Sequence, residues 1–108
     1  MDTIFAQATA VGRAGVSAVR ISGPRAHDVC VQLAGPLPAP RASALRMVKD
    51  QDGGFIDQAL ILNFSAPNSF TGEDVVELHL HGSIAIMRRV LDELAHFDGV
   101  RLAEPGEF

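Results

Sequence analysis

The sequence predicts a single α+β domain, in which two to three helices pack on a mixed β-sheet. The chain has 108 residues, the usual size of one domain, and 47% of them are hydrophobic, which is enough to bury a core. Two short segments, residues 16–22 and 74–81, have side chains that alternate between two faces, a pattern typical of strands that bury one face. Two longer segments repeat apolar residues at helical spacing. Together these patterns favour a layered domain of helices on a sheet.

Eight elements are predicted along the chain, in the order β-β-α-β-β-β-α-β. The strands cover residues 3–8, 16–22, 42–50, 55–64, 74–81 and 100–103, and the helices cover residues 24–34 and 83–97. The second strand illustrates the alternation, since Ser17, Val19 and Ile21 face one way and their neighbours face the other. Gly12 and Gly15, just before this strand, favour a tight turn.

Local signals define both ends of the first helix. Pro24 suits its first turn, and Ser22 or Gly23 is available as the cap. Gly35 is a typical helix stop, and the three prolines between residues 36 and 40 require an extended loop after it.

The second half of the chain predicts a hairpin, a further strand and the second helix. Asp52 and Gly53 separate two strand segments, and an Asp-Gly pair tolerates the positive φ that tight hairpin turns need. Ser83 is the predicted cap of the second helix. The buried stripe of that helix is predicted at four positions with helical spacing: Ile84, Met87, Leu91 and Leu94.

Composition excludes several classes of function. The net charge is −4, and one lysine accompanies eight arginines, so the domain lacks the basic field of a sequence-independent nucleic-acid binder. Cys30, the only cysteine, is predicted to be a buried, unreactive thiol, which fits a reducing cytoplasm. No membrane span, secretory signal or phosphate-binding loop is expected from the sequence.

Two features stand out as candidate sites. Glu77, His79 and His81 share one strand face. Three interpretations are open: the side chains bind zinc, they form a half-solvated surface, or they form the polar floor of a pocket. Arg20 lies in a strand of small and apolar residues. Its guanidinium suits a carboxylate or carbonyl of a flat ligand, and the alternatives are an internal salt bridge and an edge-strand charge.

The last residues, Glu-Pro-Gly-Glu-Phe at 104–108, predict a turn that leads into a further segment. We therefore expect the chain to be part of a longer protein, cut at a domain boundary.

Six segments together resemble one family. They are residues 2–9, 12–16, 19–23, 67–74, 81–82 and 104–108, and Asn-Ser-Phe-Thr-Gly-Glu-Asp at residues 68–74 is the most specific of them. In this order they resemble the N-terminal domain of the MnmE (TrmE) family of tRNA modification GTPases. Residues 36–57 match that family only in length and in hairpin character.

The resemblance implies that residues 1–108 form a folate-binding and dimerising domain, similar to the folate-binding part of the glycine cleavage T-protein. The helical domain and the GTP-binding domain, with its Mg²⁺ and K⁺, would lie outside this chain. The longer protein is expected to be cytoplasmic, without membrane attachment, and to work with the flavin-dependent partner MnmG. Together they would modify carbon 5 of the wobble uridine of tRNA, with a one-carbon unit from 5-formyl- or 5,10-methylenetetrahydrofolate.

Carried over by position, the family's folate contacts fall on Arg20 and Glu77. A third contact, a basic residue, would follow Phe108. The resemblance implies no catalytic residue and no metal ligand in this chain, and Ser83 replaces the second glycine of a His-Gly-Gly string found in many members. The alternative function is a small metal-dependent enzyme that uses Glu77, His79 and His81.

Overall fold

A computed structural model describes residues 2–8, 16–69, 71–81 and 83–108 of the chain. Within these residues it contains the following elements: β1 (Thr3–Gln7), β2 (Val16–Ser22), α1 (Ala26–Ala34), β3 (Ser43–Lys49), β4 (Phe55–Phe64), β5 (Val75–His81), α2 (Ile84–Ala95) and β6 (Val100–Leu102). The predicted order of elements and the α+β class are confirmed. The turn predicted at Gly12 and Gly15 lies outside the described residues.

The strands form one mixed sheet in the order β3-β4-β5-β2-β1-β6. Every neighbouring pair is antiparallel except β1 and β6, which run parallel. β2 and β5 are therefore neighbours in the sheet although they are far apart in the chain. Their register places Arg20 opposite Glu77 and Ala18 opposite His79.

The two helices pack on one face of the sheet, with the core between them and the strands. Side chains from both helices and from all of the strands above form one buried cluster. On β2 and β5 this face carries Val19, Ile21 and Leu78, each fully buried. Successive strand residues point to opposite faces, so Arg20 and Glu77 lie on the other side of the sheet. We call that side the open face, since α1 and α2 leave it uncovered.

The cap predicted for α1 is wrong. The helix begins at Ala26, and the residue before it, Arg25, makes no side-chain capping bond. Ser22 is still part of β2, and Gly23 packs so tightly that an added Cβ would lie 2.7 Å from the Cα of Thr3. The hydroxyl of Thr3 accepts the Arg25 amide at 2.8 Å, so a neighbouring strand satisfies the helix end. The helix stops at Gly35 as predicted, with φ 86°.

The cap predicted for α2 is confirmed, and its buried stripe is partly corrected. The Ser83 hydroxyl accepts the Ile86 amide at 3.4 Å. The fully buried positions are Met87, Val90 and Leu94, whereas Ile84 is 61% exposed. Val90 lies beside Met87 and Leu94 on the helix, so the stripe is displaced towards it and Ile84 falls at the edge. Neither α1 nor α2 is long and apolar enough to cross a membrane.

The hairpin of β3 and β4 is confirmed. Gly53 has a positive φ of 84°, and the Asp50 carboxylate accepts the amides of Asp52 and Gly54 at 2.9 and 2.7 Å. β3 is an edge strand of the sheet, and its Leu45 lies opposite Leu60 of β4.

Candidate functional site

The two residues that the resemblance singles out lie together on the open face. Arg20 donates from Nε to Oε2 of Glu77 at 2.9 Å and from Nη2 to the same oxygen at 2.5 Å. They face each other across β2 and β5, and the row continues to Leu62 on one side and Ala6 on the other. The internal salt bridge considered for Arg20 is therefore present, and it joins the two predicted site residues.

His79 completes this cluster. Its Nε2 lies 2.8 Å from Oε1 of Glu77, and because a carboxylate only accepts, the ring N–H is the donor. Glu77 is 8% exposed. Burial would raise the pKa of its carboxyl, but the hydrogen bonds from His79 and Arg20 outweigh burial, so the pKa lies below its ordinary value. Glu77 is thus a buried carboxylate that stays charged at neutral pH.

The cluster leaves Glu77 with little spare hydrogen-bonding capacity. A carboxylate offers roughly four lone-pair directions. Arg20 occupies two of them on Oε2, and His79 occupies one on Oε1. A ligand that presents two parallel N–H groups therefore binds both oxygens only when Arg20 gives up part of its contact. The freed guanidinium can then donate to an acceptor on the same ligand.

A pocket of about 510 Å³ adjoins Arg20. Its lining combines Arg20 of β2, Ala6 of β1 and Ala8 just after β1 with the segment of residues 103–108 that follows β6. Glu77 is not among the lining residues, so Arg20 connects it to the pocket. Most of the lining is aliphatic or aromatic, which suits a flat ring. Residues 104–108 were predicted only to form a turn that leads into a further segment, and their part in a pocket was not predicted.

His81 does not join the cluster. Its ring Nδ1 lies 2.7 Å from Oδ1 of Asp57, and its amide donates to Oδ2 at 2.9 Å. Asp57 is 5% exposed, and it was not among the predicted site residues. Its signal is an acidic residue inside the largely apolar strand β4. In the described part of the chain, no three His, Cys, Asp or Glu side chains are grouped to hold a metal ion, so the arrangement required by the metal-dependent alternative is not formed.

Cys30 lies on the core side of α1 and is 1% exposed. Burial raises the pKa of its thiol to about 12. The prediction that Cys30 is buried is confirmed, and a raised thiol pKa is the condition under which a cysteine is a poor nucleophile.

Comparison with known proteins shows the family. The family model described as "GTP-binding protein TrmE N-terminus" matches residues 3–108. The chain belongs to the TrmE N-terminal family. Among curated relatives named tRNA modification GTPase MnmE, that of Roseobacter denitrificans is 61% identical over 108 residues, which are 100% of this chain and 25% of that protein. The relative of the same name from Ruegeria pomeroyi is 54% identical over 108 residues, which are 100% of this chain and 25% of that protein. For Phenylobacterium zucineum the identity is 55% over 107 residues, or 99% of this chain and 24% of the relative. The chain thus spans about a quarter of the length of these relatives.

The loop that carries the most specific TrmE-like string, residues 68–74, is braced by its own side chains. Thr71 Oγ1 accepts the Glu73 amide at 3.3 Å, and Ser69 donates its hydroxyl hydrogen to the Glu73 carbonyl. Thr71 Oγ1 also lies 2.7 Å from the hydroxyl of Ser22 at the end of β2. The loop is therefore fixed to the strand that carries Arg20. Phe70 lies outside the described residues.

Ser83 marks a departure from the TrmE-like His-Gly-Gly string, and its role here is structural. Its side chain caps α2, and its amide donates to the His81 carbonyl at 2.7 Å. The preceding glycine at position 82 lies outside the described residues.

Proposed function

We propose that this chain is the tetrahydrofolate-binding, dimerising N-terminal domain of a GTP-hydrolysing enzyme that modifies tRNA. The observation that carries the proposal is the buried, charged Glu77, joined to Arg20 beside a largely apolar pocket, in a chain of the TrmE N-terminal family. Folate binding, dimerisation and the partner protein are our inferences for this chain.

The residues present fit the pterin end of a folate. A pterin offers a 2-amino group and an N3–H that are parallel donors, and the Glu77 carboxylate is the matching pair of acceptors. Arg20 would release part of its contact with Oε2 and donate to the formyl oxygen or another acceptor on the ligand. His79 would remain on Oε1 and hold the carboxylate in place. When bound, a 5-formyl- or 5,10-methylenetetrahydrofolate supplies the one-carbon unit.

Dimerisation is supported by the apolar character of the open face near β3. Leu45 is 60% exposed and Met47 is 54% exposed, and Leu45 lies beside the half-buried Leu60. A contiguous apolar surface of this kind is typical of an interface. We propose that a second copy of the chain covers it, and static light scattering would then give twice the chain mass at high micromolar concentration. A monomer mass there would contradict this part of the proposal.

The activity of the longer protein is proposed from its relatives. They bear the name tRNA modification GTPase MnmE, and the chain matches about a quarter of their length. We propose a GTP-binding domain with Mg²⁺ and K⁺ elsewhere in that protein, the flavin-dependent partner MnmG, a wobble uridine of tRNA as substrate and a cytoplasmic location. GTP turnover is not expected of this chain by itself, because Lys49, its single lysine, belongs to no phosphate-binding loop motif.

Calorimetric titration with 5-formyltetrahydrofolate tests the folate proposal. The matched control is p-aminobenzoylglutamate, which has the benzoyl and glutamate parts of folate but no pterin. Saturable binding of the folate, with much weaker binding of the control, is the expected result. Equal binding of the two compounds, or no binding of either, would overturn the assignment of Glu77 to the pterin.

A further inference from the structure

One short segment supplies half of the pocket wall. Five of the residues that line the pocket belong to the segment of residues 103–108: Ala103, Glu104, Pro105, Gly106 and Phe108. The other side is formed by β1, β2 and the end of β6. Without this segment in place, the pocket beside Arg20 would be part of an open sheet surface.

The segment is held by Arg101 of β6. Its Nε donates to Oδ2 of Asp2 at 2.8 Å, and its Nη1 donates to Oε1 of Glu107 at 2.8 Å. Its Nη2 donates to the other oxygen of Glu107, so the guanidinium and the carboxylate form a two-bond fork. Arg101 therefore joins the start of β1, β6 and the far end of the segment.

Glu107 in turn organises the turn within the segment. Its Oε1 accepts the Glu104 amide at 2.8 Å, and its own amide donates to the Glu104 carbonyl at 3.0 Å. The hydrogen bonds from Arg101 and from the Glu104 amide lower the pKa of Glu107 to about 2, so this carboxylate is charged at neutral pH. The segment is also tied to the sheet at its start, where the Ala103 amide donates to the Phe5 carbonyl at 2.8 Å.

We propose that Arg101 and Glu107 are positioning residues for the ligand pocket, and that their ion pair holds residues 103–108 against the sheet so that the apolar wall faces Arg20. This inference rests on the proposed folate pocket. Neither side chain lines that pocket together with Arg20, so both act through the segment. Because the wall is already ordered before the ligand binds, less conformational entropy is lost on binding, and the affinity is higher.

Titration of four chains with 5-formyltetrahydrofolate tests the proposal. They are the unaltered chain, Arg101→Ala, Glu107→Gln and the double variant. Each single change should weaken binding by about tenfold. The double variant should bind folate no more weakly than the weaker-binding of the two single variants, because both changes break the same contact. The matched control is Arg88→Ala, an exposed arginine of α2 that makes no ion pair among the described residues, and it should bind like the unaltered chain.

Amide hydrogen exchange at Glu104 and Glu107 separates positioning from a general structural role. If the segment closes the pocket, bound ligand must in turn stabilise the segment, so both amides should exchange more slowly in the unaltered chain when folate is added. Glu107→Gln removes the charge and replaces one of the two acceptor oxygens with an NH2 donor, at an exposed position and without a change in side-chain size. It therefore keeps the test interpretable if Arg101→Ala does not fold.

Two results would overturn the inference in distinguishable ways. Folate binding that is unchanged in Glu107→Gln, or exchange at Glu104 that ligand does not slow, would overturn the positioning role and leave the proposed folate site standing. Failure of the unaltered chain to bind folate would overturn both proposals together.

Discussion

The helix-covered face and the open face of the sheet are built from the same strands, but the first buries apolar side chains and the second holds a partly buried charged pair. On the covered face, Val19 and Leu78 are fully buried and belong to the core cluster. One residue along each strand, Arg20 and Glu77 face the other way and form an ion pair. A buried charge costs stability unless it is paired, and an enclosed apolar core needs no such pairing. We therefore expect substitutions on the covered face to change mainly the stability, and substitutions of Arg20 or Glu77 to change the proposed folate binding as well.

The largest effect on stability is expected on the covered face. Leu78→Ala should lower the free energy of unfolding by about 2–5 kcal/mol, because it leaves a cavity between β5 and the helices. Urea denaturation measures this change. A loss below about 1 kcal/mol would show that this face is not a close-packed core, and the comparison of the two faces would fail.

An intermediate effect is expected when Arg20 is replaced. Arg20→Ala removes two hydrogen bonds from a buried carboxylate and should cost about 1–3 kcal/mol of stability at neutral pH. Because Arg20 and Glu77 share their contact, folate binding should also weaken, so this variant affects both properties.

The cost of Arg20→Ala should depend on pH. The pKa of Glu77 is lowered from 4.5 on folding, so its charged form stabilises the fold above that value, and this contribution is lost as the pH falls through the folded pKa. The unaltered chain and Arg20→Ala should therefore approach the same melting temperature in acid. A difference that stays constant from neutral pH down to the lowest pH at which both chains remain folded would show that Glu77 is not the partner responsible.

The smallest effect on stability is expected at the exposed edge of the open face. Leu45→Lys should change the free energy of unfolding of each subunit by less than about 0.5 kcal/mol, because this side chain is largely in solvent. It should raise the dimer dissociation constant by about tenfold or more, since it places a charge in the proposed interface. The matched control is Ile84→Lys on α2, also exposed, which should leave the dimer intact. Equal effects of the two changes in analytical ultracentrifugation would contradict the proposed interface.

Most of the fold could be predicted because its signals are local. Alternation over a few residues identified β2 and β5, the Asp-Gly turn identified the hairpin of β3 and β4, and the glycine at position 35 marked a helix end. The cap of α1 was predicted wrongly because its acceptor comes from Thr3, on another strand. Nothing in the helix sequence itself points to that residue.

The site was predicted as single residues and not as a cluster. Arg20 was noticed as a charge in an apolar strand, and Glu77 as a carboxylate on a strand face. Their contact joins positions 57 residues apart, and it depends on the register between β2 and β5, which no local pattern specifies. Arg101 was also missed: its bond to Asp2 spans 99 residues, and its pair with Glu107, six residues later, depends on the turn closed between Glu104 and Glu107.

The most direct test compares Glu77→Ala with its matched control Glu93→Ala, a change on the surface of α2, by titration with 5-formyltetrahydrofolate. Glu77→Ala should keep the fold, because the side chain lies outside the helix-covered core. It should weaken binding by about 30- to 1,000-fold, the equivalent of two charge-assisted hydrogen bonds or roughly 2–4 kcal/mol. Glu93→Ala should bind like the unaltered chain. Unchanged binding by a folded Glu77→Ala chain would contradict the assignment of the pocket, and unfolding of both Glu77→Ala and Glu77→Gln would show that Glu77 serves the fold instead.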